Sequence, residues 1–193
     1  MSATVTPTPV PAPAPRVGDR WLFETRLAHK PSGIRLLHEL ERADAAGYVA
    51  RVRGAAADAP VLRQGFDRAM NRLWREVEPG EAIHYAPAFA LFRFPMHAGL
   101  RWTVDVQQRQ DGFPGVNRVN IAANVIGPET VTTPGGSFEA WRIEAEHRAG
   151  DARIETVYWY SPQVHRSVRG EEHTETPRGR STLIYELLEW LPA

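Results

Sequence analysis

Glycine and proline interrupt this chain so often that few helices of ordinary length fit between them. From Arg16 onward they include Gly33, Gly47, Gly54, Gly65, Pro79-Gly80, Gly99, Gly112, Pro114-Gly115, Gly127-Pro128, Pro134-Gly135-Gly136, Gly150, Pro162, Gly170 and Gly179. The intervals, mostly about 8–15 residues, suit strands and tight hairpins. Side-chain alternation agrees. In "FEAWRIEAEHR", Trp141, Ile143 and Ala145 share one face, and Arg142, Glu144 and Glu146 share the other. That period of two is the pattern of a strand with one wet face. "ARIETVYWYS" follows after "AGDA", whose Gly-Asp pair tolerates positive φ, so residues 137–161 read as a hairpin.

The same logic extends over much of the chain. "GVNRVNIAANVIG" sets Val119, Ile121 and Ala123 against Arg118, Asn120 and Ala122. "ETVTTPGGSF" adds a short strand and a Pro-Gly-Gly turn, and "VHRSVRGEEH" and "RSTLIYELLEW" form a last pair around "TETPRG". Residues 34–53 and 181–191 fit either element: Leu36, Leu40 and Ala43 have helical spacing, as do Leu183, Leu187 and Trp190. As strands, the first of these would place Ile34, Leu36, His38 and Leu40 on one face. Their strand neighbours favour strands. The expected fold is all-β: a single antiparallel β-barrel or half-barrel of about ten strands, with residues 16–193 as one domain.

An internal echo divides that domain. "VGDRW" at residues 17–21 and "AGLRW" at 98–102 each place Gly-x-Arg-Trp before an alternating stretch. Each is expected to open the first strand of one of two pseudo-repeated halves. Between them, "YAPAFALFRFPMHAGLRW" concentrates Phe89, Leu91, Phe92, Phe94 and Met96. It reads as a crossing between halves that plugs one end of the core.

Composition narrows the functions. Lys+Arg and Asp+Glu both total 23, a zero formal balance that provides no basic excess for nucleic acid. With no cysteine, the sequence contains no disulfide, thiol nucleophile, cysteine-ligated zinc or lipid-modified cysteine. No apolar run approaches the roughly 20 residues of a membrane-spanning helix, so the chain reads as not membrane-spanning. The opening "MSATVTPTPVPAPAPR" lacks the basic and apolar regions of a signal peptide. Its alternating prolines favour extended polyproline, and residues 1–15 read as a disordered tether. Such a tether suits either an exported, periplasmic protein or a cytoplasmic one.

Motifs for chemistry are sparse. Of seven histidines, none falls in a metal-binding spacing. His147, His165 and His173, with Glu146, Glu171 and Glu172, lie on or near neighbouring strands, and a solvated charged face is the expected role for them. Gly-x-Ser-x-Gly, a Walker loop and Gly-x-Gly-x-x-Gly are all missing. Arg53, Arg68, Arg72 and Arg75 are interleaved with Phe66 and Trp74, but Asp67, Glu76 and Glu78 offset them, so this stretch too reads as a charged outer face. No catalytic residue, metal or cofactor is assigned.

"FPMHAGLRW", "VTTPGGSFEAWRIE", "YWYSPQVHRSVRGEE" and "LIYELLEW", in that order over residues 94–188, resemble an uncharacterised family of bacterial exported β-barrel proteins, DUF3108-like. The matching pieces are Phe94-Pro95, Gly99–Trp102, Val131–Phe138, Trp159-Tyr160-Ser161-Pro162 and Glu186-Leu187. The resemblance implies an antiparallel barrel, export and no established enzymatic activity. The missing signal peptide departs from it. Trp102, Trp141, Trp159, Tyr160 and Phe92 form the candidate ligand-binding set, although aromatic strand residues also pack simply as core. The leading expectation is a non-catalytic envelope protein that binds a protein partner or an apolar small molecule. A lipid carrier comes second, and a hydrolase built on the His/Glu set third.

Overall fold

The computed structural model describes residues 8–56 and 58–193. Twelve strands follow one another: β1 (Arg20–Leu27), β2 (Ile34–Asp44), β3 (Gly47–Gly54), β4 (Val61–Phe66), β5 (Arg72–Glu78), β6 (Glu81–Phe89), β7 (Arg101–Gln110), β8 (Asn117–Thr133), β9 (Gly136–Ala149), β10 (Ala152–Ser161), β11 (Arg166–Thr176) and β12 (Gly179–Leu191). Each pairs antiparallel with its neighbours in sequence, and β1 pairs with β12 to close the barrel. Closure removes both sheet edges, which a half-barrel would leave exposed.

Both ambiguous segments are strands. β2 turns His38 and Leu40 into the core and leaves Arg35 exposed. β12 turns Leu187 inward, opposite Phe23 of β1. Helical spacing loses here because each segment has a partner on both sides, so its backbone groups are satisfied by the ladder.

The two Gly-x-Arg-Trp stretches open β1 and β7, six strands apart. Gly18 and Gly99 adopt φ of 95° and 78°, a region where only glycine is unstrained. The Gly18 N–H donates to the Leu40 carbonyl at 2.9 Å, and the Leu40 N–H donates to the Asp19 carbonyl at 2.9 Å. In the second half the Gly99 N–H donates to Val125 at 2.8 Å, and the Val125 N–H donates to Leu100 at 2.9 Å. Trp21 pairs with His38, two residues before Leu40; Trp102 pairs with Ala123, two residues before Val125. A bulge follows both Leu40 and Val125.

The correspondence continues along the chain. Tyr48 opposite Phe66 matches Trp141 opposite Tyr160, and both pairs sit beside a bulge on the following strand. The next turns contain Met70 and His165, the only non-glycine residues with positive φ among those described, at 60° and 57°. Thus β1–β5 and β7–β11 share one architecture.

One end of the barrel is closed by chain segments. The Val10 N–H donates to Met96 at 2.8 Å, and the Met96 N–H donates to Val10 at 2.7 Å. The Tyr48 hydroxyl donates to the Pro13 carbonyl at 2.9 Å. So residues 8–15 of the proline-rich stretch run along this end in contact with it, while residues 1–7 lie outside the described residues. The buried amide of Asn71 holds the 90–100 crossing: its Nδ2 donates to the Phe92 carbonyl at 2.9 Å, and its Oδ1 accepts from the Phe92 N–H at 2.8 Å.

The core has two apolar centres. One gathers Met96, Trp102, Ile121, Val125, Trp141, Ile143 and Tyr160 on the β6–β10 side. The other gathers Trp21, Phe23, Leu40, Tyr48, Phe66, Val164 and Leu187. Both strand-opening tryptophans are buried, and each satisfies its indole N–H. Trp21 donates to the Val164 carbonyl and Trp102 to the Ala90 carbonyl, both at 2.8 Å.

Candidate functional site

Polar side chains gather between the two apolar centres, on the inner wall made by β1, β2, β5 and β10–β12. Register places them there. Arg72 pairs with inward Phe66, Tyr158 with inward Ile143, Tyr185 with Gly170, and Glu172 with inward Thr156. The Tyr185 ring lies across Gly170, where a Cβ would come within 2.1 Å of the ring. Arg166 and Val168 share the inward face of β11 with Gly170 and Glu172, and at the bulge between Trp159 and Tyr160 Ser167, paired with inward Tyr160, is buried as well.

Arg166 is the centre of this group. Its guanidinium lies 5.0 Å from the Trp21 ring centroid, 5.4 Å from Phe23 and 5.6 Å from Phe66. Such faces stabilise a cation without neutralising it. One Nη lies 3.4 Å from His38 Nδ1. Aromatic edges complete the wall: Phe23 meets Tyr185 at 5.8 Å, Tyr158 meets Tyr185 at 5.8 Å, and Phe92 meets Tyr158 at 6.0 Å.

Tyr158, Arg166, Leu183 and Tyr185 point inward yet keep partial exposure. Burial is nevertheless the main influence on the ionisation of Tyr158, Arg166 and Tyr185. Both observations fit side chains that line an enclosed crevice.

The electrostatics are one-sided. Burial, with repulsion from Arg72, brings the Arg166 guanidinium down to about 10, which still leaves it charged at neutral pH. Burial, followed by Arg166 and Arg72, holds His38 well below the usual imidazole range, so it is neutral there. Burial raises both phenols, Tyr158 and Tyr185, and keeps them protonated as donors. Among the described residues, neither Arg166 nor Arg72 has a carboxylate within ion-pair distance, and buried Arg72 Nε has no hydrogen-bond partner. The interior therefore offers guanidinium and hydroxyl donors with few acceptors.

Four of the five candidate residues come together. Trp102, Trp141 and Tyr160 are buried in the β6–β10 core, and Phe92 packs on Tyr160 at 5.7 Å and borders the polar group through Tyr158. Trp159 faces outward between the guanidiniums of Arg142 and Arg169, at 6.0 and 5.3 Å, and donates its indole N–H to Glu129.

Several charged residues depart from their expected outer positions. Arg72 and Arg75 face inward, and the Arg75 Nε lies 3.4 Å from the Tyr85 hydroxyl. Glu172 faces inward beside Tyr158. His147 is buried edge-on to Phe89 at 5.2 Å. His165 and His173 sit at opposite ends of β11, so the His/Glu set does not converge. Among the described residues, no group of three metal-ligating side chains forms. A cleft of about 760 Å³ on the outer wall across β7–β11 contains Glu144, Glu146, Glu155 and His173. Its carboxylates are already paired, Glu144 with Arg142 at 2.6 Å and Glu146 with Arg153 at 2.9 Å.

Known proteins were compared with this arrangement. No model of a known family matches the chain, and no curated protein sequence does. Solved structures do. A provisionally designated lipoprotein of Parabacteroides distasonis aligns with a TM-score of 0.56 at 16% identity, covering 95% of this chain and 100% of that one. A provisionally designated exported protein of Bacteroides fragilis with a YmcC-like fold gives 0.55 at 17%, with the same coverage. The hypothetical lipoprotein YmcC of Escherichia coli gives 0.52 at 12%, over 91% of this chain and 85% of that one. The chain has a YmcC-like fold. At these identities the likeness is one of fold alone. Among the described residues, no helix is long and apolar enough to cross a membrane.

Proposed function

We propose that this protein is an exported, envelope-associated β-barrel of the DUF3108-like type, that it works without catalysis, and that it holds an apolar ligand in its interior. The observation that carries this reading is an aromatic wall inside a closed barrel: Tyr158, Tyr185 and Phe92 face inward and keep partial exposure. Partly exposed rings on an inner wall are what a ligand pocket presents. The exported and lipoprotein designations of the similar structures support an envelope location. So does the order of motifs over residues 94–188. A second reading, a protein partner at the β7–β8 turn, is favoured by Phe113 and Val116, which are 63% and 46% exposed.

Native mass spectrometry of protein purified without detergent tests the proposal. A mass excess that organic extraction removes is the expected result. Bare polypeptide, together with failure to bind an apolar dye such as N-phenyl-1-naphthylamine, would contradict it.

A further inference from the structure

Two arginines inside a barrel with no acid beside them need an explanation. Arg72 and Arg166 come from different strands, both face the interior, and both approach Phe66: Arg72 through strand pairing and Arg166 through ring stacking at 5.6 Å. Like charges enclosed together are unfavourable unless a counter-charge joins them. Within the interior wall, Glu172 faces inward next to Tyr158 and forms no ion pair with either guanidinium. Unused donor capacity is present as well: Arg72 Nε is buried without a partner. The Tyr158 and Tyr185 rings meet in the same region, beside Phe23 and Phe92, and Arg72 acts on both hydroxyls.

We propose that Arg166 and Arg72 form an oxyanion site in the barrel interior, which receives the single carboxylate or phosphate head of an amphipathic ligand whose apolar body lies against Phe23, Phe92 and Tyr185. This rests on the reading of the interior as a ligand site and specifies the chemistry of its occupant. A planar guanidinium suits both carboxylate and phosphate geometry, and stacking on Trp21 and Phe23 holds the fork in place before the ligand arrives. The occupant provides the missing negative charge, which is why no protein carboxylate is built beside Arg166.

The test uses the full chain, stripped of lipid and loaded with N-phenyl-1-naphthylamine. Oleate, 1-oleoyl lysophosphatidate and oleyl alcohol are titrated as displacers. The anions are expected to displace the dye at concentrations at least about tenfold below the alcohol. The stronger of the two anions tells carboxylate from phosphate. Arg166→Met is expected to abolish that preference while changing the alcohol by less than about twofold. Equal displacement by anions and alcohol, unaltered in Arg166→Met, would overturn the oxyanion site and leave the apolar ligand reading standing. No dye binding and no binding of any displacer would overturn both. If Arg166→Met fails to fold, as judged by circular dichroism, the anion-to-alcohol ratio of the unaltered protein decides the matter alone.

Discussion

The two halves of the barrel share a scaffold and differ in what they enclose. Trp21 faces His38 in the first half, and Trp102 faces Ala123 in the second. Arg72, after the positive-φ turn of the first half, corresponds to Ser167 in the second. Wherever hydrogen bonds set the frame, the halves agree: the glycine openings, the returns from Leu40 and Val125, the bulges and the left-handed turns. Inside, the β6–β10 side is packed with apolar residues, while the rest of the wall carries His38, Arg72 and Arg166. Backbone geometry is common to the halves, and interior chemistry is not. The candidate site lies where the likeness fails.

The largest test of the shared frame is removal of its tryptophans. Trp21→Ala and Trp102→Ala are each expected to lower unfolding free energy by about 3–5 kcal/mol in denaturant titrations, because each removes a buried ring and orphans a carbonyl. Tolerance of one substitution at under about 1 kcal/mol would break the equivalence. Next come the glycines. Gly99→Ala has open space for a Cβ, so its expected loss of about 1–2 kcal/mol is backbone strain alone. Gly18→Ala adds a contact with Ala193 Cβ at 3.1 Å and is expected to lose more.

A pH series sharpens the contrast in chemistry. Burial lowers His38 in the folded state, so the unfolded chain takes up its proton first as pH falls below about 6.5. Stability should therefore decline below that pH, by at most about 1.4 kcal/mol per pH unit for this residue. His147 and His165 are lowered too and act in the same direction. His38→Gln should flatten the decline relative to the parent, measured as melting temperature at pH 7.5 and 5.5. An unchanged slope would remove His38 from the buried group. The smallest effect belongs to the outer wall: Trp159→Phe should cost under about 1 kcal/mol, against the several lost at Trp102. A loss as large as that at Trp102 would place Trp159 in the stability core.

Strand character was legible wherever one face is wet. Trp141, Ile143 and Ala145 alternate cleanly with charged residues, and β9 forms as that pattern requires. Gly-x-Arg-Trp marked both halves because the glycine conformation and the tryptophan burial need those residue types. The matching turns at Met70 and His165 were hidden, since neither "DRAM" nor "PQVH" advertises positive φ. β4 and β5 escaped for a related reason. A bulge after Gly65 and two more along β5 shift the alternation, so Arg72 and Arg75 look exposed and are not. Arg166 was hidden for a different reason: it keeps phase with Val168, Gly170 and Glu172, but a charged residue in such a series reads as an outer one. His38 was the available clue: it shares a face with Leu36 and Leu40, and a histidine on an apolar face invites a search for its partners.

The polar interior is proposed to take an anionic amphiphile. Crystals grown with a terminally brominated long-chain fatty acid test it most directly, since anomalous scattering locates the bromine independently of the refined side chains. Bromine density is expected inside the barrel wall, with the carboxylate within hydrogen-bonding distance of Arg166. Bromine only on the outer surface, with Arg166 and Arg72 enclosed by side chains alone, would contradict it.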